Sequence, residues 1–310
     1  MQKTSLFFVL LLVFFSSVLS APCEIFPANN IWNTRIDTLP VHKFSSQYIQ
    51  SIGATTKFHA DFGSGLYEGS PMGIPFNFVN GSKVAKSKVK FDYAAESDPG
   101  PYPIPTNYQV EGGNNNTGGD RHLLILDNDT CTLYELFSAY LTNGSWTAGS
   151  GAIWNLTSNN LRPLDWTSAD AAGLPIYPGL LKYEEVASGE INHAIRFTIQ
   201  NSQKAYVWPA RHEASTKTQT NLPPMGTRFR LKSNFNMTGF PKQIQVIFTA
   251  MQRYGLIVAD NGSNWFVSGD PHDLWDNDML HTYMNKITGN NFEAVDCSGL
   301  MENVNSGEAK

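Results

Sequence analysis

The chain has 310 residues and a formal net charge of −5, and 41% of its residues are hydrophobic. This apolar content is ample for a large packed core, which excludes an intrinsically disordered protein. The mild acidity argues against a nucleic-acid-binding protein, because such proteins need clustered Lys and Arg side chains.

The first twenty residues, 1–20, have the three parts of a secretory signal peptide. Lys3 supplies a positive charge, residues 6–15 form an apolar run, and residues 18–20 resemble a small-residue cleavage site. We therefore expect a mature protein that begins near Ala21 and is secreted to the extracellular space. The apolar run is shorter than the about 20 residues that a membrane span needs, so we expect no membrane span.

Cysteine and asparagine usage fits an extracellular chain. The three cysteines, Cys23, Cys131 and Cys297, leave at most one disulfide bond and one free thiol. We expect no catalytic cysteine, because Cys131 lies in an apolar strand context and Cys297 in a polar tail. Sequons for N-glycosylation, which predict a glycoprotein, begin at Asn80, Asn115, Asn128, Asn143, Asn155, Asn236 and Asn261.

The N-terminal part of the chain predicts a short helix at 44–52 and strands at 73–79 and 84–93. The stretch Asp98–Gly113 contains four prolines, so we expect an ordered loop on the surface or along a cleft. The chain has no repeat and no Gly/Ser- or Pro-rich linker. It therefore predicts one domain over 21–300, followed by a flexible C-terminal tail at 301–310.

A first hairpin is predicted where two apolar runs, 122–127 and 130–140, flank a turn at 128–129. A tight turn sets His122 opposite Glu135 on one face of the hairpin. A carboxylate that holds an imidazole raises its pKa, and this is the arrangement of a general acid or base. The alternative is a structural hydrogen bond between His122 and Glu135 at a sheet edge.

A second hairpin is predicted from the alternating runs HAIRFTI at 193–199 and AYVWPARHE at 205–213. If the turn centres on 202–203, His193 lies opposite His212 at the open end of an aromatic strip. A slip of one residue would move every side chain to the other face.

The same hairpin carries the candidate ligands for a metal or an acidic sugar. Two imidazoles on adjacent strands, His193 and His212, could bind a divalent metal if a third ligand arrived. No metal-binding motif such as H-E-x-x-H is present, so we expect no cofactor. Arg196 could bind a substrate carboxylate, although buried arginines that hold loop carbonyls are equally common.

The C-terminal part predicts an amphipathic helix at 241–254, a third hairpin at 255–268 and a last helix at 277–286. A further short helix is expected at 167–171 because a hydroxyl cap precedes an acid. Three hairpins with few helices favour a mainly β protein. We expect an antiparallel β-sandwich or a distorted barrel with a few peripheral helices.

The chain also resembles a family of secreted proteins from bacteria and some microbial eukaryotes. The resemblance covers nearly the whole mature chain and implies a single folded secreted domain, but it carries no activity. It further implies a disulfide bond between Cys23 and Cys131. The stretches that carry it are 25–27 with Asn30 and 32–33, 59–63, 119–122, 133–136, 166–171, 193–197, 208–212, 222–226, 259–263 and 275–278.

The first functional hypothesis is a secreted carbohydrate-active enzyme, a hydrolase or lyase of an extracellular polysaccharide. His122 or His193 would be the acid or base, Glu135 its partner or second carboxylate, and Arg196 the substrate clamp. The histidine His212 completes the catalytic set. The candidate substrate-binding residues are Asp120, Trp208, Asp260 and Trp275, of which Trp275 is expected to be exposed.

The alternative hypothesis is a protein that binds extracellular glycan without turnover, either lectin-like or a matrix or coat component. An enzyme needs two titratable groups that converge on one substrate atom, whereas a lectin needs a shallow surface with Trp and Asn. We expect His122, Glu135, His193 and His212 to open onto one cleft walled by Asp98–Gly113. In the opposite case, each histidine has its own separate partner.

Overall fold

The computed structural model describes residues 23–310, so the predicted signal peptide at 1–20 lies outside the described residues. Four α-helices accompany a larger number of strands, and the structure is sheet-rich, as predicted. The helices are α1 (Ser45–Ile52), α2 (Tyr183–Ser188), α3 (Lys242–Arg253) and α4 (Asn277–Met284). Within residues 23–310, no helix has the length and apolar character that a membrane crossing requires.

The strands form four sheets. The first strands are β1 (His59–Asp61), β2 (Leu66–Tyr67), β3 (Ser70–Pro71), β4 (Phe76–Val79), β5 (Val89–Phe91), β6 (Leu123–Asp127), β7 (Thr132–Phe137) and β8 (Tyr140–Thr142). The others are β9 (Ser145–Ala148), β10 (Ser150–Asn155), β11 (Ile195–Ile199), β12 (Arg228–Leu231), β13 (Leu256–Asn261), β14 (Phe266–Ser268) and β15 (Phe292–Val295).

The largest sheet has six strands in the order β1-β14-β11-β13-β12-β15, and a second sheet has the order β10-β7-β6-β4. A three-stranded sheet, β5-β9-β8, and the β2–β3 hairpin complete the set. The pairs β1–β14, β11–β13, β4–β6 and β5–β9 are parallel, so the prediction of purely antiparallel sheets is wrong. None of the sheets in the described chain closes into a barrel.

The centre of the six-stranded sheet is apolar because it is covered on both faces. The side chains Ile195, Phe197 and Ile199 of β11 have no solvent exposure. The helix α3 packs Phe248 and Met251 into the same core, as its 3.6-residue periodicity predicts. A buried central strand of this kind is typical of sheets with parallel pairs.

The predicted hairpin 193–213 does not form. The strand β11 pairs with β13 in parallel and with β14 antiparallel, and residues 205–213 contain no strand. Instead, the backbone N–H of Val207 donates to the carbonyl of Met225, and the N–H of Arg211 donates to that of Ala172. The distant strands β13 and β14 are better hydrogen-bonding partners for β11 than the local segment 205–213. This segment includes Pro209, which has no N–H to donate.

Two further local predictions are wrong. The strands β13 and β14 do not pair as a hairpin, because β11 lies between them in the sheet. Gly262 donates its N–H to the Ile199 carbonyl of β11 instead of closing a tight turn. The segment 167–171 is not a helix, since the hydroxyl of Ser168 accepts from the Asp170 N–H and holds a local turn.

The hairpin of β6 and β7 is present, but its register differs from the predicted one. Asp127 pairs with Thr132 and Leu124 with Glu135, so the connecting loop is two residues longer than expected. A shift by an even number preserves the face on which each side chain lies. Glu135 therefore remains on the same face of the sheet as His122, but not directly opposite.

The two ends of the described chain are tied to its body. Cys23 forms a disulfide bond with Cys131, as the resemblance implies, and Cys297 is the free cysteine of the described chain. The segment 301–310, which the sequence predicts to be flexible, packs against the body. The Ser306 carbonyl accepts from the Trp208 indole N–H, and Glu308 forms an isolated β-bridge with Asn30.

The four-stranded sheet contributes to two hydrophobic clusters. Leu124, Leu126 and Leu133 belong to the main cluster, together with the six-stranded sheet and α3. Leu123 and Leu136 alternate with them and belong to a smaller cluster with the three-stranded sheet. The period-two alternation of β6 and β7 thus distributes apolar side chains to both faces.

Removal of the disulfide bond should destabilise the protein. The variant Cys131→Ser is expected to lower the free energy of unfolding by about 3 kcal/mol, because the bond joins residues 108 positions apart. Urea denaturation measures the loss. The matched control Cys297→Ser removes an unbonded thiol and should change stability by less than about 1 kcal/mol. Equal losses in both variants would contradict a structural role for the bond.

Candidate active site

Four of the five predicted catalytic residues contact one short segment, residues 168–177. The central contact is an ion pair in which Arg196 donates to both carboxylate oxygens of Asp170, at 2.9 and 2.7 Å. Both residues are almost completely buried. Arg196 also donates to the hydroxyl of Ser268 on β14. Its guanidinium is therefore held by buried partners and is out of reach of a substrate, so Arg196 does not form the substrate clamp that we expected.

Glu135 supports the same segment from the four-stranded sheet. Its carboxylate accepts from the backbone N–H groups of Ile176 and Tyr177, at 3.0 and 2.9 Å, and has no solvent exposure. Burial raises the pKa of Glu135 to about 7, against the opposing effect of these hydrogen bonds. A substrate cannot reach this carboxylate, so its contacts assign it a structural role.

The predicted histidines have separate partners. His122 lies 3.1 Å from the Ala169 carbonyl through Nε2, and His212 lies 2.9 Å from the Ala171 carbonyl through Nδ1. His193 is elsewhere, with its Nε2 3.0 Å from the carboxylate of Glu185 on α2. The expected single cleft with all of these histidines is therefore wrong. So is the pairing of His193 with His212 as metal ligands, because the hairpin that would bring them together does not form.

Within residues 23–310, no group of three or more His, Cys, Asp or Glu side chains is arranged to hold a metal ion.

Three of the predicted substrate-binding residues, Trp275, Trp208 and Asp260, have partners inside the protein. Trp275 is buried and donates its indole N–H to Asp270, so it is not exposed. Trp208 is half-buried and donates to the Ser306 carbonyl. Asp260 is beside Asp170 in the interior, where burial and the Asp170 charge raise the pKa of Asp260 to about 8.

A cleft with a volume of about 700 Å³ lies beside this interior network. Strand β1, helix α4, the β2–β3 hairpin and the end of the Asp98–Gly113 loop form its walls. Asp120 lines it, as a substrate-binding role would require. The titratable side chains in the walls are His59, Asp61, Tyr67, Glu111, Asp120, Arg121 and His281.

Asp61 is the last residue of β1 and is open to the cleft. His59 precedes it by two residues, so both side chains lie on the same face of the strand. The surrounding walls still remove water from the Asp61 carboxyl. This desolvation raises its pKa, and the negative charge of Glu111 raises it further, against the effect of His59. A protonated carboxyl in an open cleft can act as a general acid.

The pKa of Glu111 shifts in the opposite direction to that of Asp61. Its Oε2 lies 2.6 Å from Nδ1 of His122 and accepts from the His122 backbone N–H at 3.2 Å. Burial favours the neutral acid, but the charge and hydrogen bonds of His122 outweigh it and lower the pKa of Glu111. The cleft therefore contains one carboxyl that tends to keep its proton and one that tends to lose it.

The rim of the cleft is aromatic and polar. Tyr67, on the β2–β3 hairpin, is 67% exposed although it is a large side chain. His59 packs its ring on Phe266, with centroids 4.1 Å apart. Asn277 accepts from the Ser64 N–H and donates to its carbonyl, which fixes the start of α4 against the loop after β1. These groups can stack on and hydrogen-bond to a polar ligand.

Comparison with family models, curated proteins and solved structures finds no match for this chain. The sequence did not single out Asp61 or Glu111. The available signals were the alternation His59-Ala60-Asp61 and the position of Glu111 where the proline-rich loop ends in two glycines. Neither signal indicates chemistry until the fold brings the two carboxylates to one cleft.

The carboxyl of Asp260 should make the protein less stable as the pH rises. The unfolded chain ionises this group near pH 4, whereas the folded protein keeps it protonated up to about pH 8. Stability therefore falls between these values. The variant Asp260→Asn can still donate to Asp170 but has no proton to lose. It should gain stability relative to wild type by about 1 kcal/mol per pH unit over this range.

Thermal or urea unfolding at several pH values from 4 to 8 measures this difference. Asp92→Asn, which removes an exposed carboxylate outside the cleft, is the matched control and should keep the wild-type pH dependence. Parallel stability curves for wild type and Asp260→Asn would show that Asp260 is ionised in the folded protein.

Proposed function

We propose that the protein is a secreted carbohydrate-active enzyme that hydrolyses an extracellular polysaccharide in the cleft between Asp61 and Glu111. The observation that carries this proposal is that the carboxyl groups of Asp61 and Glu111 line one open cleft. Desolvation raises the pKa of Asp61, whereas the contact with His122 lowers the pKa of Glu111. Glycoside hydrolysis uses such a pair, in which different environments separate the two pKa values.

The roles follow from the charges. Asp61, whose pKa desolvation raises, donates a proton to the glycosidic oxygen as the bond to the anomeric carbon breaks. Glu111, as the anion, stabilises the positive charge that develops at that carbon. Water supplies the hydroxyl group of the new reducing end, and its second proton restores the Asp61 carboxyl. No redox partner or metal is needed in this scheme.

The available cations favour a hydrolase over a lyase of acidic polysaccharides. A lyase needs a positive group that neutralises the substrate carboxylate. Arg196 is bound to Asp170, and Arg121 donates to the backbone carbonyls of Ala139, Gly113 and Asn116. The carboxyl groups of Glu111 and Asp120 also line the cleft, and their negative charge repels an acidic sugar. Tyr67 offers an exposed ring on which a sugar ring can stack.

We propose that the six-stranded and four-stranded sheets pack as a β-sandwich, since side chains from both contribute to the main core. The Cys23–Cys131 disulfide bond is compatible with secretion, because such bonds persist in oxidising compartments. The exposed Tyr67 and the amide of Asn116 would also suit an extracellular glycan-binding or matrix protein without catalysis.

Replacement of either carboxyl group should abolish turnover. Wild-type protein is incubated with neutral and acidic polysaccharides, and released reducing ends are measured. Asp61→Asn and Glu111→Gln are each expected to lower kcat/KM by about 100-fold or more, because each removes an acid, base or charge from the transition state. The control Asp92→Asn removes an exposed carboxylate outside the cleft and should keep full activity.

The outcome separates the two functional hypotheses. Tight binding of a glycan by the wild type, with no product after long incubation, would contradict the enzyme and favour the glycan-binding protein. Full activity in both carboxyl variants would contradict the assignment of these residues.

Secretion can be tested through the sequons. After expression in a eukaryotic host with the native leader, mass spectrometry of the secreted chain should find glycans on exposed asparagines. The exposed sites are Asn80, Asn115, Asn143, Asn155 and Asn236. Asn261 should remain unmodified, because its side-chain amide donates to the Ala214 carbonyl at 2.6 Å and a glycan would remove this bond. A chain retained in the cell, or modified at Asn261, would contradict the prediction.

A further inference from the structure

We infer that His122 is a positioning residue, which holds the Glu111 carboxylate in place as an anion facing the cleft. The inference rests on the proposed function, because it assigns a role to His122 in the same reaction. His122 itself is buried and does not line the cleft, so it acts on substrate only through Glu111.

The hydrogen-bond geometry determines which protons His122 carries. Both ring nitrogens face oxygen atoms, with Nδ1 2.6 Å from the Glu111 carboxylate and Nε2 3.1 Å from the Ala169 carbonyl. A carbonyl oxygen can only accept, so Nε2 carries a hydrogen. Oε2 of Glu111 also accepts from the His122 backbone N–H, at 3.2 Å. A carboxylate that receives two donors on one oxygen is best satisfied as an anion, which leaves the ring as an imidazolium.

Charged groups from several elements act on this pair. Glu111 comes from the proline-rich loop and Asp120 from the segment before β6, and both favour the charged imidazole. Arg196 on β11 opposes it, and burial opposes it most strongly. The net result is a pKa of about 9 for His122. Among the surrounding carboxyls, the charge of His122 also acts on Glu135 of β7 and Asp260 of β13.

The hydrogen bond to the Ala169 carbonyl keeps the His122 ring from rotating away from Glu111. Ala169 lies directly before Asp170, whose carboxylate is fixed by Arg196. The ring of His122 also packs near Phe137, with centroids 5.8 Å apart. The buried ion pair therefore fixes the Ala169 carbonyl, and this carbonyl orients the His122 ring. The ring in turn holds the Glu111 carboxylate in place. These supporting contacts keep the Glu111 carboxylate in the precise position that catalysis needs.

The consequence is a shift in the pH range of activity. With His122 in place, Glu111 stays ionised at a pH where an ordinary glutamic acid begins to protonate. The variant His122→Asn keeps one donor toward Glu111 but carries no positive charge. Its acidic limb of kcat/KM should therefore move upward by about one pH unit or more, which is about a tenfold loss at a given acidic pH.

The matched control is His193→Asn. It removes a buried histidine that also contacts a glutamate, Glu185, but at a site outside the cleft. Both variants should lower the melting temperature, because each breaks a buried contact. Only His122→Asn should move the acidic limb. A uniform loss of activity at every pH, without movement of the limb, would overturn the positioning role.

A second readout does not depend on turnover. In the full secreted chain labelled with ¹⁵N-histidine, the ring signals of His122 are assigned by their loss in His122→Asn. They should show a doubly protonated ring from about pH 5 to about pH 8. A ring that titrates near its ordinary value of about 6.5 would overturn the inference even if the enzyme is active. If no glycan is hydrolysed but the His122 ring stays protonated, the proposed function is wrong, whereas the ion pair between His122 and Glu111 is confirmed.

Discussion

The buried ion pair between Arg196 and Asp170 is the interaction on which the rest of the site depends. Neither charge has access to water, so each is tolerable only because the other neutralises it with two hydrogen bonds. The pair connects β11 to segment 168–177, and Ser268 extends it to β14. Once this segment is fixed, its carbonyl and N–H groups become rigid partners for other side chains.

The interior network and the open cleft are connected at one place. Glu135 and His212 bind the segment without reaching the cleft, so they stabilise it. His122 also binds the segment, but its other ring nitrogen contacts Glu111, which lines the cleft. The titratable residues thus form two layers. The inner layer is structural, and the outer layer contains the carboxyls that can meet a substrate.

Some of this structure could be predicted from sequence because the signal is local. The periodicity of α3, the helix α4 and the β6–β7 hairpin depend on neighbours within a few residues. The partners of β11 could not be predicted in this way. It pairs with β13 and β14, which lie more than fifty residues further along the chain, and the local alternation favoured 205–213 instead. The error then placed His193 opposite His212. The chemistry of Asp61 and Glu111 likewise depends on side chains that are distant in sequence.

In the proposed reaction, a glycosidic bond lies between Asp61 and Glu111. The most direct test is a crystal structure of the Glu111→Gln variant with an oligosaccharide from a polysaccharide that the wild type degrades or binds. We expect a glycosidic oxygen about 3 Å from the Asp61 carboxyl and a sugar ring against Tyr67. An oligosaccharide bound outside this cleft, or within it but out of reach of Asp61, would contradict the proposed roles of Asp61 and Glu111.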